Sequence, residues 1–454
     1  MADPCRACVP ASRIRVTLAQ KVRFRVRESL EMATTSQGAM ARGGHADSDL
    51  IDSSYSWRRL FVSLLLSTIG GIGLWSVVVS LPTIQADFGV LRGTASLPYT
   101  MTMMGIALGG ILMGRLADRV GIVPPLLLGT LAIGGGFMLT SMTRTLTEFI
   151  LVQGLVIGLV GTSATFGPLI ADISHWFRRR RGIAVAICAS GNYLAGALWP
   201  PVLQYGIENF GWRQTNVYVG LFCLATMLPL LLLLRRRSPI EIGPVVATLN
   251  SDGQAHASTS PALLQTMLII AGLACCVAMS MPQVHIVAYC ADLGFGSARG
   301  AEMLSIMLGL GVISRIASGW IADRIGGVKT LLLGSGLQCL ALMLYLPFDG
   351  MMSLYIVSAL FGLSQGGIVP SYAIIVREKF PASEAGTRVG LVIMSTIVGM
   401  ALGGWLTGVI FDFTGSYQLG FVHGIAWNIL NLAIALWLWK GGGNQRFIRQ
   451  PAMA

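Results

Sequence analysis

The sequence is short of charge. Lysine and arginine together number 32 and aspartate and glutamate 20, so charged residues make up 11 % of 454 positions, less than half the ~25 % usual in soluble globular chains. With 54 % hydrophobic residues and a mean hydropathy of +0.69, the chain has more apolar surface than one or two water-facing domains can bury. An ordinary soluble enzyme is excluded. Clustered reactive side chains are also lacking. Of eight cysteines, Cys188, Cys223, Cys275, Cys276, Cys290 and Cys339 lie in or beside apolar runs, and Cys5 and Cys8 form one C-x-x-C without a second pair. Neither a zinc site nor a disulfide framework follows, and no grouping of His, Asp, Glu or Cys offers metal or nucleophilic chemistry. No catalytic residue, metal or cofactor is expected.

What the chain does have is long apolar runs. A helix needs roughly 20 residues to cross ~30 Å of hydrocarbon, and twelve stretches meet that length: 60–82, 98–114, 122–142, 147–172, 183–204, 215–234, 263–289, 301–321, 330–348, 352–376, 389–411 and 419–439. They show no period-two alternation of the kind barrel strands require. The 56 glycines suit close helix packing in a bilayer.

Basic residues orient these spans. With both termini inside, nineteen Lys and Arg fall at cytoplasmic edges, including Arg58, Arg59 and the run Arg178 to Arg181, while only Arg92, Arg144, Arg213 and Arg299 fall in outer loops. This is a positive-inside bias repeated at every loop. The net charge of +12 is therefore read as topology rather than as a nucleic-acid surface. The chain divides into a basic N-terminal tail (1–56), a first six-helix unit (57–237), a polar cytoplasmic linker (238–262), a second six-helix unit (263–440) and a C-terminal tail (441–454). The first tail lacks the apolar core of a signal peptide and reads as disordered. Met32 and Met40 are alternative starts that would remove most of it.

The two units repeat each other. Gly114-Arg115-Leu-Ala-Asp118-Arg119-Val-Gly121 follows the second span, and Gly319-Trp-Ile-Ala-Asp323-Arg324-Ile-Gly326 follows the eighth, 205 residues later. Arg181-Gly182 and Arg388-Val-Gly390 match at nearly the same offset, and Phe210-Gly211-Trp212-Arg213 matches Thr414-Gly415-Ser416-Tyr417 at 204. Duplicated halves are common among membrane carriers.

These loops resemble the signature of the major facilitator superfamily, over residues 57 to 440. The resemblance implies an all-α membrane protein whose twelve transmembrane helices form two pseudo-symmetric six-helix bundles that rock about a central cavity. It implies that Asp118, near the eleventh helix, and Asp323, near the fifth, lock one alternating state. A narrower resemblance, carried by His175-Trp176-Phe177, Arg181-Gly182, Gly211-Trp212-Arg213 and Arg315, is to the monocarboxylate and oxalate/formate porter branch. In that branch an arginine at the place of Arg315 binds the substrate carboxylate. Eukaryotic relatives add an aspartate one turn earlier, where this chain has Gly311, and many members carry a lysine in the first or eleventh helix, where this chain has none.

The residues alone also single out Arg315. It lies eight positions before Asp323, hence about 12 Å deep, where an arginine costs at least ~2.5–3.5 kcal/mol to insert. Its planar fork suits a carboxylate. Carboxylates avoid mid-span: Asp87, Glu148, Glu208, Asp292, Asp349 and Asp412 fall near outer ends, and Asp118, Asp172, Asp323, Glu378 and Glu384 near inner ones. A carrier of cationic compounds is expected to keep an acidic residue at depth. The missing partner of Arg315 is therefore an anionic cargo.

Asn192, Tyr193, Tyr99, Gln365 and Tyr372 are further candidate cavity residues, with Asn428 and Asn431 in the last span. His285, about 10 Å below the outer surface, is the candidate for proton coupling. The expected activity is alternating-access transport of a small organic anion such as a monocarboxylate, by proton symport or anion exchange, in the cell membrane, with the bilayer, the anion and, for symport, protons as partners and no nucleic acid; the sequence shows no oligomer interface. Efflux of a neutral or amphiphilic compound, with Arg315 structural, is the alternative. An integral-membrane enzyme is a more distant one.

Overall fold

The computed structural model describes residues 51–236 and 260–442. The readings made above for the N-terminal tail, its two cysteines, most of the linker and the C-terminal tail lie outside the described residues. Among the described residues the chain is helical with no strand. Long apolar segments satisfy every interior N–H and C=O within one helix, which is what lipid demands.

Eleven helices are long and apolar enough to cross a membrane. In chain order α1 is Ser54–Phe88, α2 Arg92–Val120, α3 Val123–Met142 and α4 Leu146–Trp176. The next, Arg181–Leu232, bends at Gly211 (φ 77°, ψ 158°) and so supplies both α5 and α6. Then follow α7 Pro261–Asp292, α8 Ser297–Ile325, α9 Gly327–Leu344, α10 Met351–Lys379, α11 Glu384–Thr414 and α12 Gln418–Gly441. Twelve spans result, as the apolar runs predict, but several outrun their expected limits. α1 starts at Ser54, where Ser53 accepts a hydrogen bond from the Ser56 N–H, and α7 starts within the expected linker. Helix caps and polar first turns extend a helix beyond its apolar stretch.

Among the described residues five spans are interrupted, α1 at Gly71 and α2 at Ser96 by a single turn residue each, and three more. α4 carries a π-helical segment from Val152 to Thr162 and a turn before Gly167. α5 breaks at Ser190. α10 breaks at Gly366 and Gly367, between Gln365 and Ile368. Hydropathy sees none of these, because each break keeps its apolar composition.

The repeat is visible in the backbone. Gly121 and Gly326 close α2 and α8 with nearly the same torsions, φ 87° with ψ 174° and φ 83° with ψ 166°, a region only glycine enters without strain. Packing repeats too. α2 meets α4 backbone to backbone at Gly105 and Gly154, and α8 meets α10 in the same way at Met307 and Gly362. α1 is buried from Gly70 to Leu81 and α7 from Ala274 to Ala288, so both thread the interior of their bundles.

The bundles meet at one end. The two Gly-x-x-x-Asp-Arg-x-Gly loops and most arginines lie at the other, the basic face. There Gly114, Gly182, Gly319 and Gly390, on α2, α5, α8 and α11, face open space. At the far face the bundles are bonded: Thr100 of α2 donates to the Ala401 carbonyl at 3.1 Å, and Ser305 of α8 to the Ala197 carbonyl of α5.

Candidate functional site

Arg315, on α8, sits half-buried between the two bundles. One guanidinium nitrogen donates to the carbonyl of Ala189 at 3.2 Å, just before the break in α5. The next turn of α5 places the Tyr193 ring 5.1 Å from the guanidinium carbon, a cation–π distance. Both contacts cross from the second bundle to the first. Two of the expected cavity residues are therefore brought together by the structure.

The charge of Arg315 is not matched by a carboxylate. Of the arginines that are not exposed among the described residues, Arg59 pairs with Asp172, Arg92 with Asp292, Arg213 with Asp87 and Arg388 with Glu384. Arg315 has no such partner among them. The position one turn before it, Gly311, is occupied in space by Tyr193: a Cβ there would stand 2.6 Å from the ring.

Gln365 lies at the break in α10, beside the same turn of α8. Its carbonyl oxygen accepts from the Gln283 amide of α7 at 2.5 Å, and its own amide nitrogen is buried without a partner among the described residues. That nitrogen is 3.5 Å from the Cβ position of Gly311. Ser314 fastens the break to α8, donating to the Leu363 carbonyl at 2.6 Å and accepting from the Gly366 N–H at 3.2 Å. Discontinuous helices of this kind free backbone groups at mid-membrane, where carriers bind their cargo.

The remaining candidates are dispersed. Asn192 follows the α5 break, half-buried, and its backbone carbonyl accepts from the indole of Trp75 at 3.1 Å. Tyr99 is buried where α2 crosses α11, packed on Gly404, with its hydroxyl unpartnered among the described residues. Tyr372 is engaged inside the second bundle. Its hydroxyl donates to Asn431 at 2.8 Å, the Asn431 amide reaches Ser335 at 2.7 Å, and Asn428 donates to the Ser335 carbonyl at 2.8 Å. This is a brace between α10, α12 and α9, and it uses the side chains that composition alone suggests for a cavity. Asp118 and Asp323 are exposed, and neither has an ion-pair partner among the described residues. The lock expected of them is not formed in this conformation.

Two arginines counted above only as topology are structural. Arg59 is 2 % exposed. Its Nε and Nη2 grip both oxygens of Asp172 at 2.8 and 2.9 Å, another nitrogen reaches the Leu234 carbonyl at 3.2 Å, and its guanidinium lies 4.5 Å from the Trp176 ring. It ties α1, α4 and the end of α6 together. Arg92, 5 % exposed, holds the far face. It bonds Asp292 at 3.0 Å and donates to the Tyr417 hydroxyl at 2.5 Å. Asp412 accepts from the N–H groups of Arg92 and Gly93, both at 2.7 Å. His285 lies behind this cluster, fully buried, with Nε2 2.7 Å from the Gly404 carbonyl.

Residues 63–358 match the family model described as Major Facilitator Superfamily. Monocarboxylate transporter 13 of Bos taurus is 28 % identical over 339 residues, covering 72 % of this chain and 75 % of the relative. The MFS-type transporter pynF of Aspergillus niger is 27 % identical over 342 residues, covering 73 % and 76 %. In fold, the chain is similar to a bacterial homologue of the human lysosomal transporter Spinster, with a TM-score of 0.65 at 14 % identity, covering 86 % of this chain and 97 % of that one. The peptide transporter POT in complex with sulfate gives 0.65 at 13 %, covering 85 % and 94 %.

Proposed function

This chain belongs to the Major Facilitator Superfamily, and we propose that, as a transporter of that family, it moves a small organic anion, such as a monocarboxylate, by alternating access. The observation that carries this reading is Arg315: the one arginine among the described residues that is neither exposed nor paired with a carboxylate, set between the two bundles. A guanidinium held at that depth is stabilised by an anion that supplies the missing negative charge, and its fork donates two parallel hydrogen bonds to a carboxylate. The Tyr193 ring is an apolar wall beside it, Asn192 adjoins Tyr193 on α5, and Gln365 lies beside Gly311, one turn before Arg315; Tyr99, at the α2–α11 crossing, is a further polar candidate. Few contacts suffice for a small acid. The similarity to a protein named monocarboxylate transporter 13 supports the same cargo class.

In this reading the basic face is cytoplasmic, both termini are inside, and the protein resides in the cell membrane. The conformation is open inward and closed outward. Asp118 and Asp323, on the duplicated loops, then engage only when the inner face shuts. The test is counterflow of a panel of labelled carboxylates in proteoliposomes, with and without a pH gradient. Exchange of at least one small carboxylate without chemical change is expected. Failure of every carboxylate, with exchange of a neutral compound instead, would overturn the anion assignment.

A further inference from the structure

Outward closure rests on an unbroken chain of contacts that ends on an imidazole. Asp292, at the end of α7, pairs with Arg92 of α2; Arg92 donates to the hydroxyl of Tyr417, before α12; and that hydroxyl lies 3.5 Å from Nδ1 of His285, on α7. The other imidazole nitrogen faces a backbone carbonyl, Gly404 of α11, at 2.7 Å. A carbonyl can only accept, so Nε2 carries the hydrogen and Nδ1 presents a lone pair to Tyr417. Arg92 is the sole link of this chain that belongs to the first bundle. It also stacks 4.8 Å from the Phe411 ring, while its Nε is buried without a partner among the described residues. The lock is strong but incompletely satisfied, as an openable contact must be.

We propose that His285 is a proton-binding site read by the outer lock, such that the neutral imidazole keeps the outer face shut and a proton taken up from outside opens it. The proposal rests on the carrier reading above and on the basic face being cytoplasmic. The direction follows from the surroundings. In the closed form His285 is fully buried, and burying a charge without a counter-ion costs several kcal/mol.

The charged and titratable groups around it are Arg92 and Tyr99 from α2, Tyr289 and Asp292 from α7, Asp412 from α11 and Tyr417. Asp292 is bound by the Arg92 side chain, and Asp412 by two backbone N–H groups of α2. Beyond Tyr417 the next charge is Arg92, of the same sign as an imidazolium. Among the described residues, α8, α12 and the end of α9 contribute Gly300 against Val287, Met303 against Cys290, and one further phenol, Tyr345, stacked on Phe421 and bonded to Ser358. Opening carries Arg92 away with the first bundle and admits water to Nδ1. Protonation and opening therefore favour each other, and by linkage each strengthens the other equally.

The test uses double electron–electron resonance on the full-length protein in lipid nanodiscs without substrate. Spin labels go on Met142→Cys and Met352→Cys, exposed positions at the far-face ends of α3 and α10; the parent chain, labelled in parallel, reports any signal from native cysteines. A longer-distance population should grow about tenfold between pH 7.5 and 5.5, the interval bracketing an exposed imidazole near 6.5. His285→Gln, which keeps a donor for Gly404 and an acceptor for Tyr417, should give the same distances at both pH values. Arg92→Gln should give the longer population at both. A pH response that survives in His285→Gln, or no growth of that population in the wild type, would overturn the proposal. Because no substrate is present, either result leaves the identity of the cargo to the counterflow experiment.

Discussion

Tyr193 and Gly311, on opposite bundles, share one space: the tyrosine ring fills the volume that any side chain at 311 would take, and the same ring lies under the guanidinium of Arg315. The missing side chain on α8 and the aromatic on α5 are one feature. Gly311→Ala is expected to lower stability by about 1–3 kcal/mol, the usual range for overpacking. Adding Tyr193→Ala should restore part of that loss, measured as the coupling in a double-mutant cycle of thermal midpoints in detergent.

The ring itself has a distinct role. Tyr193→Phe keeps the π-face and should leave the KM for the transported anion within about twofold, whereas Tyr193→Leu removes a contact of about 0.5–2 kcal/mol and should raise KM about 2- to 30-fold. Initial-rate uptake in proteoliposomes reads both. An equal effect of the two changes would assign the contribution to the hydroxyl instead.

Arg59 and Asp172 predict a large stability effect unconnected with cargo. Breaking a buried ion pair from one side costs about 3–5 kcal/mol, so Asp172→Asn should yield little monodisperse protein. Replacing both partners with apolar residues, Arg59→Met with Asp172→Leu, should recover much of it. Size-exclusion profiles and thermal midpoints of the three variants provide the comparison.

Tyr372 separates bracing from binding. Removing its hydroxyl leaves Asn431 short of a donor inside the second bundle, a loss of about 1–3 kcal/mol. Tyr372→Phe should therefore lower the thermal midpoint while the KM for the transported anion stays unchanged. A rise in KM at unchanged stability would move Tyr372 into the cavity.

What could be read from the sequence follows the range over which each interaction acts. The twelve spans are legible because lipid burial depends on composition in a local window. The duplicated loops are legible because Gly121 and Gly326 must be glycine at their torsions. Arg315 stands out because a charge at that depth is anomalous on any pattern.

Arg92 was indistinguishable from a loop residue, since its partners Asp292 and Asp412 lie 200 and 320 positions away. Arg59 was hidden for the same reason, its carboxylate being 113 residues distant. Gln365 could be named as polar and mid-span. Its place beside Gly311 depends on a helix break that leaves no trace in hydropathy, and Tyr372 shows the converse, a polar residue at the right depth that serves its own bundle.

The central claim is that Arg315 binds the anion. Its most direct test is uptake of the labelled carboxylate identified by counterflow into proteoliposomes containing wild-type, Arg315→Lys or Arg315→Gln protein, at matched reconstitution and with thermal midpoints recorded. A charge-assisted bidentate contact contributes about 1.5–3 kcal/mol. Arg315→Gln should therefore lose at least about tenfold in kcat/KM, with Arg315→Lys between it and the wild type, and all three should fold alike. Wild-type uptake by Arg315→Gln would contradict the account.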